Sequence, residues 1–403
     1  MTDKSPRIVV FSSLFPSSVQ PNSGVFIRER LFRVGKVLPV VVVAPVAWFP
    51  FQGLIRRFKP GFRPQPSRFE TQQGVDVYYP RFFSVPGLFK QFDGFLMALG
   101  AAWTLLRLRR KYRFDLIDAH FAYPDGYAAT WLGRWFQVPV TITLRGTEVS
   151  LSRFPARKQR IAAALQRAAR VFSVSESLKR HAVSLGTDAE KIRVVGNGVD
   201  ADKFQPVDRL AARRQLHLPN DADVLISVGG LVERKGYHRV IEVLPKLVEA
   251  FPNLIYLIVG GPCAEGDNRE QLARLVDSLQ LQERVRFLGP MLSEDLKIPL
   301  SAADVFVLAT SNEGWANVFL EAMACALPVV TTDVGGNAEV VCAASLGTIV
   351  PFGDADALSQ ALADALRKDW DRAAIRRYAE ANHWQTRVDI LVDEFTKIIE
   401  RNE

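Results

Sequence analysis

The chain has 403 residues, 48% of them apolar, and a formal net charge of +8. This length excludes one ordinary domain, because domains of roughly 100–200 residues are the norm, and it favours two. Three cysteines are too few for a disulfide framework, and we expect them to be reduced. No apolar run reaches the ~18 residues of a membrane-spanning helix, and no apolar leader precedes the first strand. We therefore expect a cytoplasmic protein.

The first predicted strand and helix are joined by a loop that ends at a glycine. Residues 7–12 (RIVVFS) predict a strand, and residues 25–36 (VFIRERLFRVGK) predict an amphipathic helix. Gly24 precedes this helix and would allow backbone N–H groups to approach an anion. An ordinary strand-to-helix loop also uses glycine to turn, so Gly24 alone does not decide between the two interpretations.

The segment 48–113 is both basic and aromatic. It holds twelve Lys or Arg residues against three acids, a local excess of +9, together with fifteen Phe, Tyr or Trp residues. This composition is typical of a surface that meets anionic lipid headgroups or an anionic lipid-linked substrate. A solvated helix face with core aromatics is the alternative. We expect the stretch 53–66 to form loops or short helices, because it is rich in Pro and Gly.

Two later strands are followed by polar side chains at their carboxyl ends. Residues 115–120 (DLIDAH) predict a strand ending at His120, and residues 138–144 (VPVTITL) predict one followed by Arg145. Ligands bind outside the carboxyl ends of parallel strands, so Gly24, His120 and Arg145 together indicate a binding cleft. A structural histidine is the alternative interpretation of His120.

The alternation of strands and helices restarts after the turn at 197–200 (NGVD) and a linker at 201–222. Such alternation predicts a mostly parallel sheet with helices on both faces. We therefore expect an α/β protein with two Rossmann-like, doubly wound domains that face each other across a cleft. The first domain is predicted to span 1–200 and the second 201–380.

Two loops of the second half carry the strongest chemical signals. Arg234 and Lys235 follow one strand and precede a helix, a place where two adjacent cations suit a diphosphate. Two solvated surface cations are the alternative interpretation of this motif taken alone. The second loop follows the strand 305–309 and leads into a helix that should begin near Asn317. It offers a loop carboxylate, Glu313, and three backbone amides, those of Ala316, Asn317 and Val318. The helix carries Glu321, a residue type suited to gripping ribose hydroxyls. The set indicates a nucleotide diphosphate with a group attached.

No metal site is predicted. The D-x-D patterns at Asp221–Asp223 and Asp354–Asp356 could hold a divalent cation, but the second opens a helix, where acids favour the dipole, and we interpret both as structural. The sequence has no Cys/His metal spacing, no P-loop pattern, and no G-x-G-x-x-G after the first strand.

In order and spacing together, these motifs resemble the family 4 (GT4) glycosyltransferases, retaining enzymes of the GT-B fold. The resemblance covers nearly the whole chain. Its most specific element is Glu313 and Glu321, separated by seven residues and followed by AMACALPVV and TTDVGGNAEVV. The turn NGVD, the segment VGGLVERKG and the segment DAHFAYPDG around His120 add to it. The chain departs from the family at Gly230, where an arginine is usual.

The resemblance implies a donor site in the second domain. Glu313 would contact the transferred sugar, and Glu321 would bind the ribose. The amides of residues 316–318 would bind the distal phosphate. Lys235, helped by Arg234, would neutralise the diphosphate leaving group.

In the first domain, the resemblance implies that His120 lines the sugar and acceptor side. It also implies that Gly24 lets the first loop approach the donor. Arg145 is an acceptor-side candidate. The C-terminal helix, 381–403, would complete that domain.

The expected activity is the transfer of a hexose-type sugar from a nucleotide-diphosphate sugar to a glycan or lipid-linked acceptor, in cell-surface polysaccharide or glycolipid synthesis. It implies retention of configuration, no metal and no cofactor besides the donor as co-substrate. No nucleic acid partner is expected. The protein would be peripheral at the inner face of the membrane, through residues 48–113. Two alternatives are a sugar-nucleotide epimerase of the same fold and a non-catalytic peripheral membrane protein that binds nucleotide.

Overall fold

Buried strands rich in Val, Ile and Leu form the centre of each half of the chain. In the computed structural model, residues 5–21, 23–59, 61–263 and 265–402 are described. The chain divides into two units: unit 1 contains Met1–Asn197 and Trp384–Glu403, and unit 2 contains Gly198–His383.

The main sheet of unit 1 is mostly parallel. Its described strands have the order β10-β9-β8-β7-β1-β2-β5-β4, and a small ladder pairs β3 with β6. Only the β4–β5 pair is antiparallel among the described pairs. The strands of unit 1 are β1 (Ile8–Phe11), β2 (Val40–Val43), β3 (Val46–Trp48), β4 (Phe69–Gln72), β5 (Val75–Tyr78), β6 (Arg81–Phe83), β7 (Leu116–His120), β8 (Val140–Leu144), β9 (Arg170–Ser173) and β10 (Ile192–Val194).

Helices connect these strands and cover the sheet, as the crossover connections of parallel strands require. The helices before unit 2 are α1 (Val25–Val34), α2 (Gln52–Phe58), α3 (Asp93–Lys111), α4 (Tyr127–Phe136), α5 (Thr147–Leu151), α6 (Pro155–Arg167) and α7 (Glu176–Ser184).

Unit 2 has a parallel sheet with the order β13-β12-β11-β14-β15-β16, so its chain order is 3-2-1-4-5-6. The strands of unit 2 are β11 (Val224–Val228), β12 (Ile255–Val259), β13 (Val285–Gly289), β14 (Val305–Leu308), β15 (Val329–Thr332) and β16 (Gly347–Val350). Its helices are α8 (Arg209–Gln215), α9 (Tyr237–Ala250), α10 (Arg269–Ser278), α11 (Lys297–Ala302), α12 (Asn317–Ala324), α13 (Asn337–Val340), α14 (Ala355–Arg367) and α15 (Arg372–Ala381).

The last helix, α16 (Trp384–Glu400), returns to unit 1. Its apolar side joins the core of that unit through Val388, Leu391 and Phe395, and the Phe395 ring lies 5.8 Å from the Phe172 ring. Burial of such a side chain contributes roughly 1.5–3 kcal/mol, so the helix is an integral part of unit 1.

In each main sheet the chain first adds strands on one side of its first strand and later adds them on the other side. The point of change lies between two neighbouring parallel strands. In unit 1 these strands are β1 and β7, and in unit 2 they are β11 and β14. Loops at the carboxyl ends of two such strands diverge and leave a crevice, the usual ligand position in open α/β sheets. The predicted site residues of both units lie in or beside these loops.

The structure adds elements that the sequence interpretation overlooked. Strands β4 and β5 form a hairpin whose turn, Gln73–Gly74, has positive φ at both residues. A glycine second in a two-residue turn is a hairpin signal that was available in the sequence. Helix α4 begins at Tyr127, after an irregular turn over Ala122–Gly126.

Candidate functional site

The carboxyl edge of the unit 2 sheet brings together three of the predicted site residues. Lys235 and Arg234 lie in the loop after β11, and Glu313 lies in the loop after β14. Lys235 Nζ is 2.6 Å from Glu313 Oε1, and the Arg234 guanidinium is 3.0 Å from the same oxygen. Two cations therefore converge on one oxygen of a carboxylate that is 9% exposed.

The second oxygen of Glu313 has a different environment. Oε2 accepts no hydrogen bond from the part of the chain that the structure describes, whereas Oε1 also lies 3.4 Å from the Thr310 hydroxyl. A carboxylate whose orientation is fixed through one oxygen can offer the other to a substrate hydroxyl.

Arg234 carries a second carboxylate that the sequence did not predict. Its Nε and Nη2 donate to the two oxygens of Glu265 at 2.9 and 2.7 Å, a bidentate pair. The hydrogen bonds that Arg234 donates to Glu265, with the charge of Glu313, raise the pKa of Arg234. The group therefore holds two cations and two carboxylates, so its formal charges balance.

Two glycines hold the two loops at close range. Gly236 has φ of 76°, and a Cβ there would lie 1.9 Å from the carbonyl oxygen of Ala309. Gly335 has φ of 56°, and a Cβ there would lie 1.8 Å from the carbonyl oxygen of Glu313. Only glycine fits such positions without displacing backbone. The positions of Lys235 and Glu313 thus depend on Gly236 and Gly335.

Helix α12 begins beside Glu313 and has no side-chain cap. The amides of Ala316 and Val318 donate to no acceptor among the described residues. Uncapped N–H groups at a helix start attract anions through their partial positive charge. Asn317 opens the helix as predicted, and Glu321 follows in its second turn, half-buried.

At Gly230, where the family usually has an arginine, the neighbouring Cys263 leaves no room for a side chain. A Cβ at Gly230 would lie 2.8 Å from the sulfur of Cys263. An arginine there would have to displace Cys263. The nearest cations on this loop are instead Arg234 and Lys235.

At the carboxyl edge of unit 1, His120 and Arg145 are in contact. The Arg145 guanidinium donates to His120 Nδ1 at 3.1–3.3 Å and to Asn197 Oδ1 at 2.6 Å. Because Nδ1 accepts, the ring proton lies on Nε2, which is 3.4 Å from Asp118 Oδ2. Burial, although opposed by Asp118, lowers the pKa of His120 to about 4, and the imidazole is neutral at pH 7.

A fully buried arginine completes this group. Arg30, on α1, is 0% exposed, and its three guanidinium nitrogens have no hydrogen-bond partner among the described residues. Burial lowers its pKa to about 10, and the charge of Asp118 opposes that shift. Burial also opposes the ionised form of Asp118, but His120 and Arg30 hold its pKa below the ordinary value.

The loop after β1 is held by a buried carboxyl group on the turn after β7. Asp125 accepts hydrogen bonds from the backbone amide and the hydroxyl of Ser13. Burial raises the pKa of Asp125 to about 7. Gly24 ends the same loop with φ of 72°, and a Cβ there would lie 2.4 Å from the carbonyl oxygen of Leu14. Gly24 is thus required by the packing of the loop, and it has no contact with His120 or Arg145 among the described interactions.

Sequence reasoning missed several partners in these groups: Arg30, Asp118, Asp125, Asn197 and Glu265. Asp118 had a usable signal, since it precedes His120 by two residues on a strand and so shares its face. Glu265 had none, because it lies in a loop 31 residues beyond Arg234. Among the described residues, no group of three or more His, Cys, Asp or Glu could hold a metal ion.

Comparisons with known proteins agree over both halves of the chain. Residues 208–382 match the family model "Glycosyl transferases group 1", and residues 40–203 match "Glycosyltransferase Family 4". A D-inositol 3-phosphate glycosyltransferase of Stackebrandtia nassauensis is 30% identical over 366 residues, 84% of this chain and 81% of that protein. A Bacillus subtilis protein named for teichuronic acid biosynthesis, TuaC, is 29% identical over 82% of each chain.

Solved structures share the fold. A sucrose-phosphate synthase from Thermosynechococcus elongatus superposes with a TM-score of 0.77, at 21% identity, over 99% of this chain and 100% of that one. Anabaena HepE in complex with UDP and glucose gives 0.74 at 18% identity, over 98% and 100%. These similarities confirm the predicted α/β class with two Rossmann-like domains of the GT-B type.

Proposed function

The chain belongs to the group 1, family 4 glycosyltransferases, and we propose that it transfers a hexose-type sugar from a nucleotide-diphosphate sugar to a glycan or lipid-linked acceptor. In this proposal unit 2 binds the donor and unit 1 binds the acceptor. The convergence of Lys235 and Arg234 on Glu313, beside the uncapped start of α12, carries the proposal. The names of the relatives support a role in polysaccharide or glycolipid synthesis.

The group suits a reaction in which a diphosphate departs. Breaking the bond between sugar and phosphate places negative charge on the leaving group, and fixed cations and amides stabilise that charge. In the donor complex, the amides of residues 316–318 would take the distal phosphate and Glu321 the ribose. Lys235 and Arg234 would then exchange part of their contact with Glu313 and Glu265 for phosphate oxygens.

Glu313 is assigned to the sugar. Its Oε2, which accepts neither from Lys235 nor from Arg234, is the oxygen that would accept a sugar hydroxyl. We propose retention by attack of the acceptor from the face of the leaving diphosphate, with a phosphate oxygen taking the acceptor proton. No separate nucleophile is required in that route, and the cations take the place of a metal.

The acceptor side is proposed at the carboxyl edge of unit 1. Arg145 is partly exposed there and contacts the ring of Phe26 as well as His120. His120, neutral and fully buried, would hold Arg145 in place more readily than it would transfer a proton at pH 7. A cation in this position favours an acceptor that carries a negative group.

The proposal is tested by incubating the protein with a panel of nucleotide sugars and measuring nucleotide release and sugar transfer. Glu313→Gln keeps the size of the side chain and should lower kcat/KM by about 10²-fold or more, because the charge that orients Lys235 and the sugar is lost. Glu283→Gln, an exposed carboxylate before β13, is the matched control and should behave as wild type. Anomeric NMR of the product reports retention, and a chelator reports any need for metal.

Equal activity of Glu313→Gln and wild type with every accepted donor would refute the assignment of the site. Conversion of the nucleotide sugar without any acceptor would instead favour the epimerase alternative.

We also propose that the protein is peripheral at an anionic membrane surface, in the cytoplasm. Within the described residues, no helix has the length and apolar character needed to cross a membrane. Segment 48–113 exposes large apolar side chains, among them Phe51, Phe58 and Phe89 at 88%, 82% and 63%. Along α3 and its N-cap, one outward stripe contains Phe92, Phe95, Leu99, Trp103, Arg107 and Arg110. An apolar stripe that ends in cations suits the lipid interface.

A further inference from the structure

A cavity of about 730 Å³ lies in unit 1 at the amino ends of β7 and β8. The residue before β7, Asp115, and the first residue of β8, Val140, form part of its wall. Strands of five residues separate the two ends of a sheet by about 13 Å, at roughly 3.3 Å a residue. The cavity is therefore distinct from the carboxyl edge that holds His120 and Arg145.

Three arginines line this cavity: Arg109 at the end of α3, Arg134 on α4 and Arg167 at the end of α6. None of them forms an ion pair with a carboxylate in the described part of the chain. Arg109 donates to the carbonyl of Phe114, and Arg167 lies 5.5 Å from the centre of the Trp131 ring. Among the described residues, these three cations therefore have no counterion.

The single carboxylate in the described lining, Asp115, already accepts the backbone N–H of Arg7 at 2.9 Å. The wall consequently carries an excess of two positive charges, three arginines against one aspartate. Like charges that share a cavity repel each other, and a bound anion relieves that repulsion.

Guanidinium groups select for phosphate. Each presents a planar set of N–H donors that matches two oxygens of a phosphate group, and arginine remains charged at any physiological pH. The volume falls within the 300–1,000 Å³ that is typical of small-molecule sites, so the cavity can hold a phosphate together with the group attached to it.

The position of the cavity indicates where such a phosphate comes from. Trp131, in the cavity wall, packs against Phe95 at 5.5 Å and Trp135 at 6.1 Å. Phe95 belongs to the outward stripe of α3, and Trp135 is 41% exposed beside it. The aromatic surface proposed to meet the membrane therefore continues into the arginine cavity.

We propose that this cavity binds a phosphate group, and that the phosphate belongs to the headgroup of an anionic lipid. Arg109, Arg134 and Arg167 hold the phosphate, while the α3 stripe rests in the lipid interface beside it. The claim that the phosphate belongs to a lipid depends on the membrane association proposed above. The claim that the cavity binds a phosphate group does not depend on it. The shared chemistry is a phosphate ester, which a soluble molecule such as glycerol 1-phosphate also offers.

The test uses the full chain and two readouts: sedimentation with phosphatidylglycerol or phosphatidylcholine vesicles, and calorimetric binding of glycerol 1-phosphate at constant ionic strength. Arg134→Gln/Arg167→Gln alters the cavity. Arg107→Gln/Arg110→Gln removes the same charge from the neighbouring face of α3, outside the cavity, and is the matched control. Leu99→Ala/Trp103→Ala weakens the apolar stripe alone. Thermal unfolding verifies that all variants fold.

We expect the cavity variant to lose glycerol 1-phosphate binding and to bind phosphatidylglycerol vesicles at least about tenfold more weakly. The control should keep glycerol 1-phosphate binding, with weaker vesicle binding only. Leu99→Ala/Trp103→Ala should also bind the vesicles more weakly and should keep glycerol 1-phosphate binding.

Other outcomes would distinguish the claim that the cavity binds phosphate from the claim that the phosphate belongs to a membrane lipid. If wild type binds glycerol 1-phosphate through the cavity but binds no vesicles, the phosphate site stands and the membrane proposal fails. If the cavity variant loses glycerol 1-phosphate but keeps its vesicle affinity, the ligand is a soluble phosphate and not a lipid. If wild type binds no glycerol 1-phosphate, or the cavity variant and the control bind it equally, the proposal is overturned.

Discussion

The carboxyl edges of the two sheets both gather charged side chains, but they expose them to different degrees. In unit 1, Asp118 and His120 are fully buried, and Arg30 lies beside them without a hydrogen-bond partner among the described residues. In unit 2, the side chains of Lys235 and Glu313 are 16% and 10% exposed. Charges that keep some access to water can exchange partners with a substrate, whereas desolvated charges are fixed by the fold.

This difference separates a group of charges that stabilises the fold from a group that can bind a ligand. The unit 1 group holds the loops in place and depends on an internal balance of charge. The unit 2 group balances its charges through Glu265 and Glu313, which a diphosphate could replace. The contrast predicts that substitutions in unit 1 affect stability first, and that substitutions in unit 2 affect donor binding first.

The largest expected effect is on the stability of unit 1. Asp118→Asn removes the negative charge next to Arg30 and should lower the free energy of unfolding by about 3–5 kcal/mol, because a buried cation is left uncompensated. Denaturant unfolding measures this change. The double variant Asp118→Asn/Arg30→Met should regain most of the lost free energy of unfolding, because it no longer contains the uncompensated buried cation.

The matched control is Asp393→Asn, an exposed carboxylate paired with Lys397. It should change the unfolding free energy by less than about 0.5 kcal/mol. If Asp118→Asn behaved like this control, the buried group would not be the charge-balanced structure described above.

A smaller effect with a characteristic pH dependence is expected at Asp125. Its pKa is raised to about 7 in the folded protein, so the native state binds the extra proton and stability falls as pH rises from about 4 to 7. Asp125→Asn keeps a neutral group that can still bond to Ser13. The variant should exceed wild type by about 1–3 kcal/mol above pH 7.5, and the difference should vanish below pH 4.

Unfolding at several pH values measures this difference. An Asp125→Asn effect that is constant across the range would show that burial of the carboxylate is not the cause.

The smallest expected effect is a change in the KM for the donor when Glu265 in unit 2 is altered. Glu265→Gln weakens the bidentate pair with Arg234 and frees that cation for phosphate, so KM for the donor should fall by roughly two- to fivefold. Glu270→Gln, which alters an exposed pair with Arg274, is the control. A rise in KM would mean that Glu265 positions Arg234 for the donor and does not compete with it.

Much of the fold follows from local sequence patterns. The run 305–309 and the position of Asn317 predicted β14 and the start of α12, and the alternation of elements predicted two doubly wound domains, which the comparisons confirm. The meeting of Arg234, Lys235 and Glu313 followed from placing each at the end of a strand. Their catalytic roles stay predictions.

The remainder depends on contacts that no local pattern encodes. Arg30 reads as one more surface cation of an amphipathic helix, yet it is fully buried next to Asp118. Glu265 lies in an irregular loop, and only the three-dimensional path of that loop brings it to Arg234. The arginine cavity joins residues from three helices that are far apart in the chain.

The most direct test of the central claim, that unit 2 binds the donor through the cations at its carboxyl edge, is calorimetric binding of a nucleotide diphosphate. The nucleotide is the one that wild type binds most tightly among UDP, GDP and ADP. Lys235→Ala should weaken binding by about tenfold or more, or about 1.4 kcal/mol. Lys246→Ala, an exposed lysine paired with Asp356, should change it by less than about twofold. Equal affinity of Lys235→Ala and Lys246→Ala would contradict the account.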